Sequence, residues 1–291
     1  DVVLTITSGD TGEATVTSTL TFTSANWDTA QTVTVTGVDD VAVDGNQTTT
    51  ITASIDDDNS DDGYDSVEDQ TVSVTTADDD TAGYTIVESG GSTSVTESGT
   101  TDTFTLVLNT QPLSDVVFSI SSSDTGEATV TTTLTFTPAN WDTAQTGTVT
   151  GIDDSIIDGT QTATITVSIN DGSSDDDFDS LADQTITTSN VDDDVAGFTI
   201  AETDGSTAVA ESGSTDTFTV VLDAQPTSDV VIAITSNDTG ESSVHGALTF
   251  TPANWDTAQT VTVTGIDDDI IDGTQTSSLT ITVDDGNSDN D

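Results

Sequence analysis

Lysine and arginine are absent from all 291 residues of this chain, which carries 54 aspartate and glutamate residues and a formal net charge of −54. Ordinary globular domains contain acidic and basic side chains in roughly balanced numbers. With a single histidine as the only basic side chain, ion pairs cannot neutralise these carboxylates. The positive charge must come from outside the chain. Nucleic acid and anionic membrane surfaces are excluded as partners because they would be repelled.

Cysteine is also absent, so no disulfide can staple the fold and no thiolate can hold a metal. The single histidine disfavours zinc. The sequence contains no Ser/His/Asp set, no glycine-rich phosphate loop and no basic patch, so we do not expect an enzyme. No apolar run approaches the ~20 residues of a membrane-spanning helix, so we expect no direct membrane insertion.

What the sequence does contain is a long internal repeat. The phrase LTFTSANWDTAQTVTVTGVDD recurs as LTFTPANWDTAQTGTVTGIDD and LTFTPANWDTAQTVTVTGIDD, and Trp27, Trp141 and Trp255 follow one another at intervals of 114 residues. A fixed long period predicts an array of similar units. The chain begins and ends partway through a unit, which predicts a window cut from a longer chain. We expect a partial unit at 1–81, a complete unit at 82–195 and a partial unit at 196–291.

Each unit has the sequence pattern of a β-sandwich. Stretches such as TATITVSI and TFTVVL alternate with period two and are rich in β-branched residues, which predicts half-buried strands. Seven short strands in about 110 residues, without helical periodicity, predict an all-β, immunoglobulin-like antiparallel sandwich. In the complete unit we expect strand A at 83–87 with a resumption at 94–95, B at 103–108, C at 116–121, D near 128–130 and 134–136, E at 146–150, F at 162–169 and G at 184–188.

The aromatic side chains allow two interpretations. Trp141, Phe104, Phe136 and Phe218 could stack on sugars, but an aromatic side chain on an apolar strand face is usually part of the core. A buried tryptophan also recurs in this class of sandwich. We therefore expect these side chains in the core.

The acidic residues cluster, and the clusters recur in register. An Asp-Asp pair and an Asp-Gly pair follow strand E (GIDDSIIDGTQ in the complete unit), an Asp triplet follows strand G, and a glutamate lies between strands A and B. Loops after alternate strands emerge at the same end of a sandwich, so these segments should converge on one tip. Two neighbouring carboxylates repel by roughly 1–4 kcal/mol. Calcium, which accepts about six to eight oxygen ligands, would remove that repulsion. The alternative is a solvated acidic face, although solubility alone would not place these residues at the same offsets in each unit.

The order and spacing of V-x-E-S-G, LTFTPxxW…QTVTVTGxDDxxxDG and a closing DDD resemble the Calx-beta domain, known from the cytoplasmic regulatory part of sodium–calcium exchangers. The resemblance extends over the whole chain, as one complete and two partial copies. It implies a seven-stranded immunoglobulin-like sandwich that binds a cluster of calcium ions at one tip. The ligands it implies are Glu97, Asp153, Asp154, the Ile156 carbonyl, Asp158, Asp192, Asp193 and Asp194 in the complete unit, Glu211, Asp267, Asp268 and Asp272 in the last unit, and Asp39, Asp40, Asp44, Asp78, Asp79 and Asp80 in the first.

Two features leave alternatives open. Gln161 stands where exchanger-type members have a carboxylate, so the ion count per tip stays open, and either Asp124 or Glu127 is a candidate for a further ligand from the loop between strands C and D. A second acidic patch lies in the loop between strands F and G. It is either a solvated loop or a looser calcium site, which would use Asp61, Asp65 and Asp69 in the first unit and Asp175, Asp179 and Asp183 in the complete one.

Near-identical tandem units joined by almost no linker predict a calcium-rigidified structural array. Such an array would form the stalk or fibre of a very large extracellular protein on a bacterial cell surface, an adhesin or a filament. The expected partners are neighbouring repeats of the same chain, and lateral or head-to-tail association of chains into fibres stays open. Two alternatives remain: calcium-sensor domains, which the exchanger resemblance suggests, and a glycan-binding adhesion module.

Overall fold

The computed structural model describes residues 1–288, so the last three residues of the third predicted unit lie outside the described residues. Within this range the chain is almost entirely β-structure, and its few helices are single turns of 3-10 type. The all-β prediction is confirmed. No helix among these residues has the length and apolar character needed to cross a membrane.

The strands fall in three sets, which we describe by predicted unit. In residues 1–81 they are β1 (Val2–Ser8), β2 (Ala14–Val16), β3 (Thr19–Phe22), β4 (Val35–Gly37), β5 (Gln47–Ile55) and β6 (Gln70–Thr76). In residues 82–195 they are β7 (Tyr84–Glu88), β8 (Thr93–Thr96), β9 (Thr101–Leu108), β10 (Val116–Ser122), β11 (Ala128–Val130), β12 (Thr133–Phe136), β13 (Gln145–Gly151), β14 (Gln161–Ile169) and β15 (Gln184–Val191). In residues 196–288 they are β16 (Phe198–Glu202), β17 (Thr215–Leu222), β18 (Val230–Ser236), β19 (Ser242–Val244), β20 (Ala247–Phe250), β21 (Gln259–Gly265) and β22 (Leu279–Val283). The 3-10 turns are Asp57–Asn59, Asp62–Tyr64, Ser89–Gly91, Asp171–Ser173 and Thr203–Gly205.

The middle unit is a sandwich of two sheets. One sheet has the strand order β12-β10-β14-β15-β8 and the other β11-β13-β9-β7. In the lettering used above, these orders are D-C-F-G-A and D-E-B-A. They match the CFG and ABED sheets of the immunoglobulin fold, with strands A and D each divided between the two sheets. The immunoglobulin-like prediction is confirmed, and all the expected strands of this unit are present.

Strand A changes sheets, and this change shapes one end of the unit. After β7, the backbone passes through Gly90 and Gly91, both at positive φ, before β8 pairs in parallel with the end of β15. This pairing extends strand G to Val191, three residues beyond the predicted end. Strand E approaches closely enough that a side chain at Gly151 would lie 2.2 Å from the Thr96 carbonyl oxygen. Glycine is therefore required where β13 ends.

The core of the middle unit lies between its two sheets. Phe104 and Leu106 of β9, Phe118 of β10, Phe136 of β12 and Ile165 of β14 are completely buried. Because side chains alternate between the two faces of a strand, the period-two pattern delivers these residues to one face. The core location predicted for the aromatic side chains is confirmed for the phenylalanines, including Phe218 of the third unit, and Trp141 packs against the same core while remaining partly exposed.

Consecutive units contact one another through the same loop. In each joint, the acidic loop after strand E of one unit meets the turn after strand B of the next in a single parallel β-bridge. A glutamine in that turn uses both its N–H and its carbonyl. The bonds are Gln111 N–H to Val41 O (2.8 Å), Val43 N–H to Gln111 O (3.1 Å), Gln225 N–H to Ser155 O (2.6 Å) and Ile157 N–H to Gln225 O (3.1 Å).

Candidate metal centre

Carboxylates from separate segments lie together in each unit. In the middle unit, Glu97, Asp154 and Asp194 each present a carboxylate oxygen, and the three atoms lie within 4.8 Å of one another. These residues come from the segment after β8, the loop after β13 and the segment after β15. The corresponding groups are Glu13, Asp40 and Asp44 in the first unit and Glu241, Asp268 and Asp272 in the third.

The parallel pairing of β8 with β15 places Glu97 in the middle group. The Glu97 N–H donates to the Val191 carbonyl (3.1 Å), which holds the residue beside the Asp triplet. Its side chain is only 1% exposed, and its Oε2 is buried without a hydrogen-bond partner, as is Oδ2 of Asp194. Buried carboxylate oxygens normally have donors, because a desolvated charge without one is costly. Two such oxygens in one three-carboxylate group therefore indicate a missing cation.

Burial also changes the proton affinity of this group. Desolvation raises the pKa of Glu97 to about 7; a hydrogen bond from the Asp193 backbone opposes the rise, and the charges of Asp192, Asp154 and Asp158 add to it. Desolvation likewise raises the pKa of Asp194, with the neighbouring aspartates adding to the effect. Without a metal, the middle group therefore retains protons more strongly than ordinary carboxylates do. A divalent cation would stabilise the charged form instead.

The loop after strand E has the same local construction in all three units. The second aspartate of the Asp-Asp pair accepts a bond at Oδ1 from the backbone N–H two residues later, which bends the loop and leaves its Oδ2 available to the group. Gly159 of the Asp-Gly pair has φ 72°, a left-handed conformation that favours glycine. The backbone bonds are Ala42 to Asp40 (2.8 Å), Ile156 to Asp154 (2.6 Å) and Ile270 to Asp268 (2.7 Å).

The first aspartate of the triplet fastens two segments together. Asp192 Oδ2 accepts from the N–H groups of Asp158 (3.1 Å) and Gly159 (2.8 Å), and its Oδ1 accepts from Asp194 N–H (2.8 Å). Asp78 makes the same three bonds in the first unit, and these backbone donors lower its pKa. Three N–H donors occupy much of the acceptor capacity of such a carboxylate. Its role here is to tie the loop after strand E to the segment after strand G.

Gln161, which departs from the exchanger-type pattern, also fastens this loop. Its Nε2 donates to the Asp158 carbonyl at 2.8 Å. Gln47 and Gln275 make the same bond to Asp44 (2.8 Å) and Asp272 (3.0 Å). The position therefore serves loop closure through an amide donor, which a carboxylate could not supply.

Several predicted ligands lie outside the three groups, and their ligation stays a prediction. Glu211 is the clearest case, because residues 207–210, which correspond to β8, do not form a strand in the third unit. The described residues contain no strand G in that unit with which they could pair. Ile156 lies in the bridge to Gln225, and Asp80, although outside the first group, has a raised pKa through desolvation and its acidic neighbours. The exposed members outside the groups are Asp39, Asp79, Asp153, Asp158, Asp193 and Asp267.

The glutamates of the loop between strands C and D enter two of the groups, which the ligand prediction did not include. Glu13 and Glu241 have pKa values raised first by desolvation and then by neighbouring aspartates. Their equivalent in the middle unit, Glu127, instead accepts a bond from Asn190 Nδ2 (3.2 Å) and is outside the group. The recurrence of the Gly-Glu pair at the 114-residue interval was the sequence signal that could have identified them.

The second acidic patch contains an anchor of a different kind. Asp175 is buried, and its Oδ2 accepts from the N–H groups of Leu113 (2.7 Å) and Ser114 (2.8 Å), while its Oδ1 accepts from Asp177 N–H (3.2 Å). These bonds explain the burial of its charge without a metal. Asp179 Oδ1 is buried without a partner, but no group of three close carboxylates occurs in this loop within residues 1–288. The second calcium site stays a prediction.

No family model matches the chain, and no curated protein matches it. Among solved structures, domains 1-6 of the surface layer protein SbsC share 15% identity, covering 95% of this chain and 32% of that one, with a TM-score of 0.32. The calcium binding domain CBD12 of CALX1.1 shares 19% identity, covering 68% of this chain and 80% of that one, with a TM-score of 0.28. TM-scores of this size do not establish a shared function, so the inferences below depend on the residues of this chain.

Proposed function

We propose that this chain is an array of Calx-beta-like structural units that bind calcium at their acidic tips, and that calcium stiffens the joints between them. The observation that carries the proposal is the group of Glu97, Asp154 and Asp194, with two buried oxygens that lack a donor. No lysine or arginine exists anywhere in the chain to neutralise it. Such an array suits the stalk or fibre of an extracellular cell-surface protein.

The chemistry of the donor set favours calcium over other cations. All donors are carboxylate oxygens, which suit hard cations, and the chain has no cysteine. Calcium accepts several such oxygens in flexible geometry and fills its remaining positions with carbonyls and water. Magnesium demands a near-ideal octahedron and gives up its water reluctantly. In the middle unit, Glu97, Asp154 and Asp194 would hold the ion.

The position of the loop after strand E connects ion binding to stiffness. Asp154 contributes to the group, and the next three residues, 155–157, form the bridge to Gln225 of the following unit. An ion that fixes Asp154 therefore also reduces the freedom of the strand edge used in the joint. If the free calcium concentration is about 100 times Kd, each site contributes about 2.7 kcal/mol. This is a substantial fraction of the 5–15 kcal/mol that typically stabilises a domain.

The proposal is tested by titrating the full chain with calcium, and separately with magnesium, in isothermal titration calorimetry. Thermal unfolding and small-angle scattering are then measured in calcium and in chelator. We expect calcium-selective binding, a higher unfolding temperature and a stiffer particle with calcium. Equal shape and equal unfolding temperature in calcium and in chelator would contradict the proposal. Affinity separates it from the sensor alternative, since submicromolar cooperative binding with a large domain rotation would favour a sensor.

A further inference from the structure

The loop after strand E has a neighbour in the first two units. In the first joint, Val41 and Val43 bond Gln111 through the backbone, and one period later Ser155 and Ile157 bond Gln225. Two joints with the same register, built from different copies of the sequence, show that this loop edge is a recurring docking surface. It recognises the backbone of a turn rather than a particular side chain.

The receiving side of the joint also recurs. The side chain of each bridging glutamine donates to a proline carbonyl of its own unit, Gln111 to Pro138 (2.8 Å) and Gln225 to Pro252 (3.1 Å). These bonds hold the turn rigid, so that its N–H and carbonyl are presented together. The surface beside the turn is apolar, and Ile157 lines a cavity there with Phe198 and Pro226 of the following unit.

The third unit presents the same loop edge uncovered. Ile270 is 65% exposed and Ile271 is completely exposed, whereas their equivalents Ile156 and Ile157 are half-buried. Within residues 1–288, the backbone of residues 269–271 pairs with no other segment. The local construction is nevertheless intact, since Ile270 N–H donates to Asp268 Oδ1 as in the other two loops. Two adjacent exposed isoleucines on a preformed edge are typical of an interaction surface.

We propose that residues 269–271 are a docking surface for the base of another unit of this kind, joined head to tail in the same chain. The partner would present a turn after strand B with a glutamine followed by proline, and an apolar surface beside it that accepts the side chain of Ile271. Continuity with the two existing joints identifies this occupant. The surface forms without reference to the ion, so the inference stands apart from the proposed calcium function.

Amide hydrogen exchange tests this inference on the full chain and on an extended chain. The 114-residue period places Asp291 at the position of Asp177, so residues 178–291 appended after Asp291 continue the repeat in register. In the full chain, the Val43 and Ile157 amides should exchange slowly and the Ile271 amide rapidly. In the extended chain, the Ile271 amide should slow by roughly tenfold or more, because it becomes hydrogen-bonded.

Two variants of the extended chain sharpen the test. Ile271→Ser, which adds no charge to the acidic loop, should restore rapid exchange at position 271 and leave Ile157 protected. Val87→Ser is the matched control, because Val87 is 58% exposed on a strand away from the joints, and it should change neither amide.

Three outcomes would overturn the inference. The first is rapid exchange of Ile271 in the extended chain, and the second is rapid exchange of Val43 and Ile157 in the full chain. The third is protection of Ile271 in the full chain that grows with protein concentration, which would assign the surface to a separate molecule. All measurements are repeated in chelator. Protection of Ile271 that persists without any calcium binding would support the docking surface while contradicting the proposed function.

Discussion

The first and middle units have nearly the same sequence over their shared strands, yet equivalent residues are buried differently. Val149 of β13 is completely buried, whereas its equivalent Val35 of β4 is 37% exposed. Trp141 packs against the middle core, whereas Trp27 is 72% exposed. The middle unit has strands β7, β8 and β9, and residues 1–81 contain no counterpart of them. Burial at these positions therefore depends on strands A and B, and the shared sequence alone does not produce it.

The same comparison applies to the acidic tips. In the middle unit, β8 pairs with β15 and places Glu97 in the group with Asp154 and Asp194. The third unit repeats the sequence around this glutamate, but Glu211 stays outside its group, which uses Glu241 instead. A ligand predicted from a motif thus reaches its site only where the strand that carries it has a partner.

The largest expected effect comes from making the middle core resemble the first. Phe104→Ala should reduce the free energy of unfolding by about 3–5 kcal/mol, because Phe104 is completely buried and its removal leaves a cavity. Urea unfolding followed by tryptophan fluorescence measures this loss. Val87→Ala, at an exposed position of the same sheet, is the control and should change stability by less than about 0.5 kcal/mol. Similar losses for both variants would mean that strand B does not determine burial in this unit.

The next effect concerns the tip. Glu97→Gln should remove most of the roughly 2.7 kcal/mol that calcium at 100 times Kd adds to the middle site. In chelator the same variant should be more stable than the parent chain, because it removes a buried charge without a partner. Thermal unfolding in calcium and in chelator measures both signs.

Glu202→Gln is the matched control for this experiment, since Glu202 is exposed and lies outside the three groups. It should leave the calcium effect unchanged. A Glu97→Gln protein that gains as much stability from calcium as its parent would remove Glu97 from the proposed ligands.

A pair of matched substitutions isolates the effect of missing neighbours. Val149→Ala should cost about 2 kcal/mol, whereas Val35→Ala, one period earlier in the sequence, should cost less than about 1 kcal/mol, because less area is lost from a residue that is already exposed. Calorimetric or chemical unfolding of each variant gives the two values. Equal costs would show that Val35 is buried in solution.

The smallest expected effect is the pH dependence of the chain in chelator. The folded-state pKa of Glu97 is raised to about 7 from an ordinary value near 4.5, so between these values the folded state binds more protons than the unfolded state. Stability should therefore fall as the pH rises from about 5 to about 7. The part that Glu97→Gln abolishes should be about 1 kcal/mol, since the shared site and nearby water reduce the full effect.

Saturating calcium should reverse this dependence, because the ion favours the charged carboxylate and competes with protons. The measurement is the free energy of unfolding across this pH range for the parent and for Glu97→Gln, with and without calcium. Parallel curves for the two proteins in chelator would contradict the raised pKa.

The local sequence was sufficient for most of the fold. The period-two pattern predicted all the strands of the middle unit, and the 114-residue period predicted their repetition. The extension of β15 to Val191 was not predictable, because it depends on pairing with β8, which is distant in sequence. For the tip, the motifs correctly identified the segments that meet. They did not distinguish Asp194, whose Oδ2 lacks a donor, from Asp192, which backbone N–H groups already occupy.

The sequence by itself determined the class of fold, the number of repeats and the need for positive charge from outside the chain, because alternation, periodicity and composition are local or additive properties. Only the tertiary structure decided which carboxylates lose their contact with water, which glutamine bridges to the preceding unit and which apolar residues stay uncovered. Each of these depends on what a distant strand places beside the residue, and neighbouring units with nearly the same sequence have different neighbours.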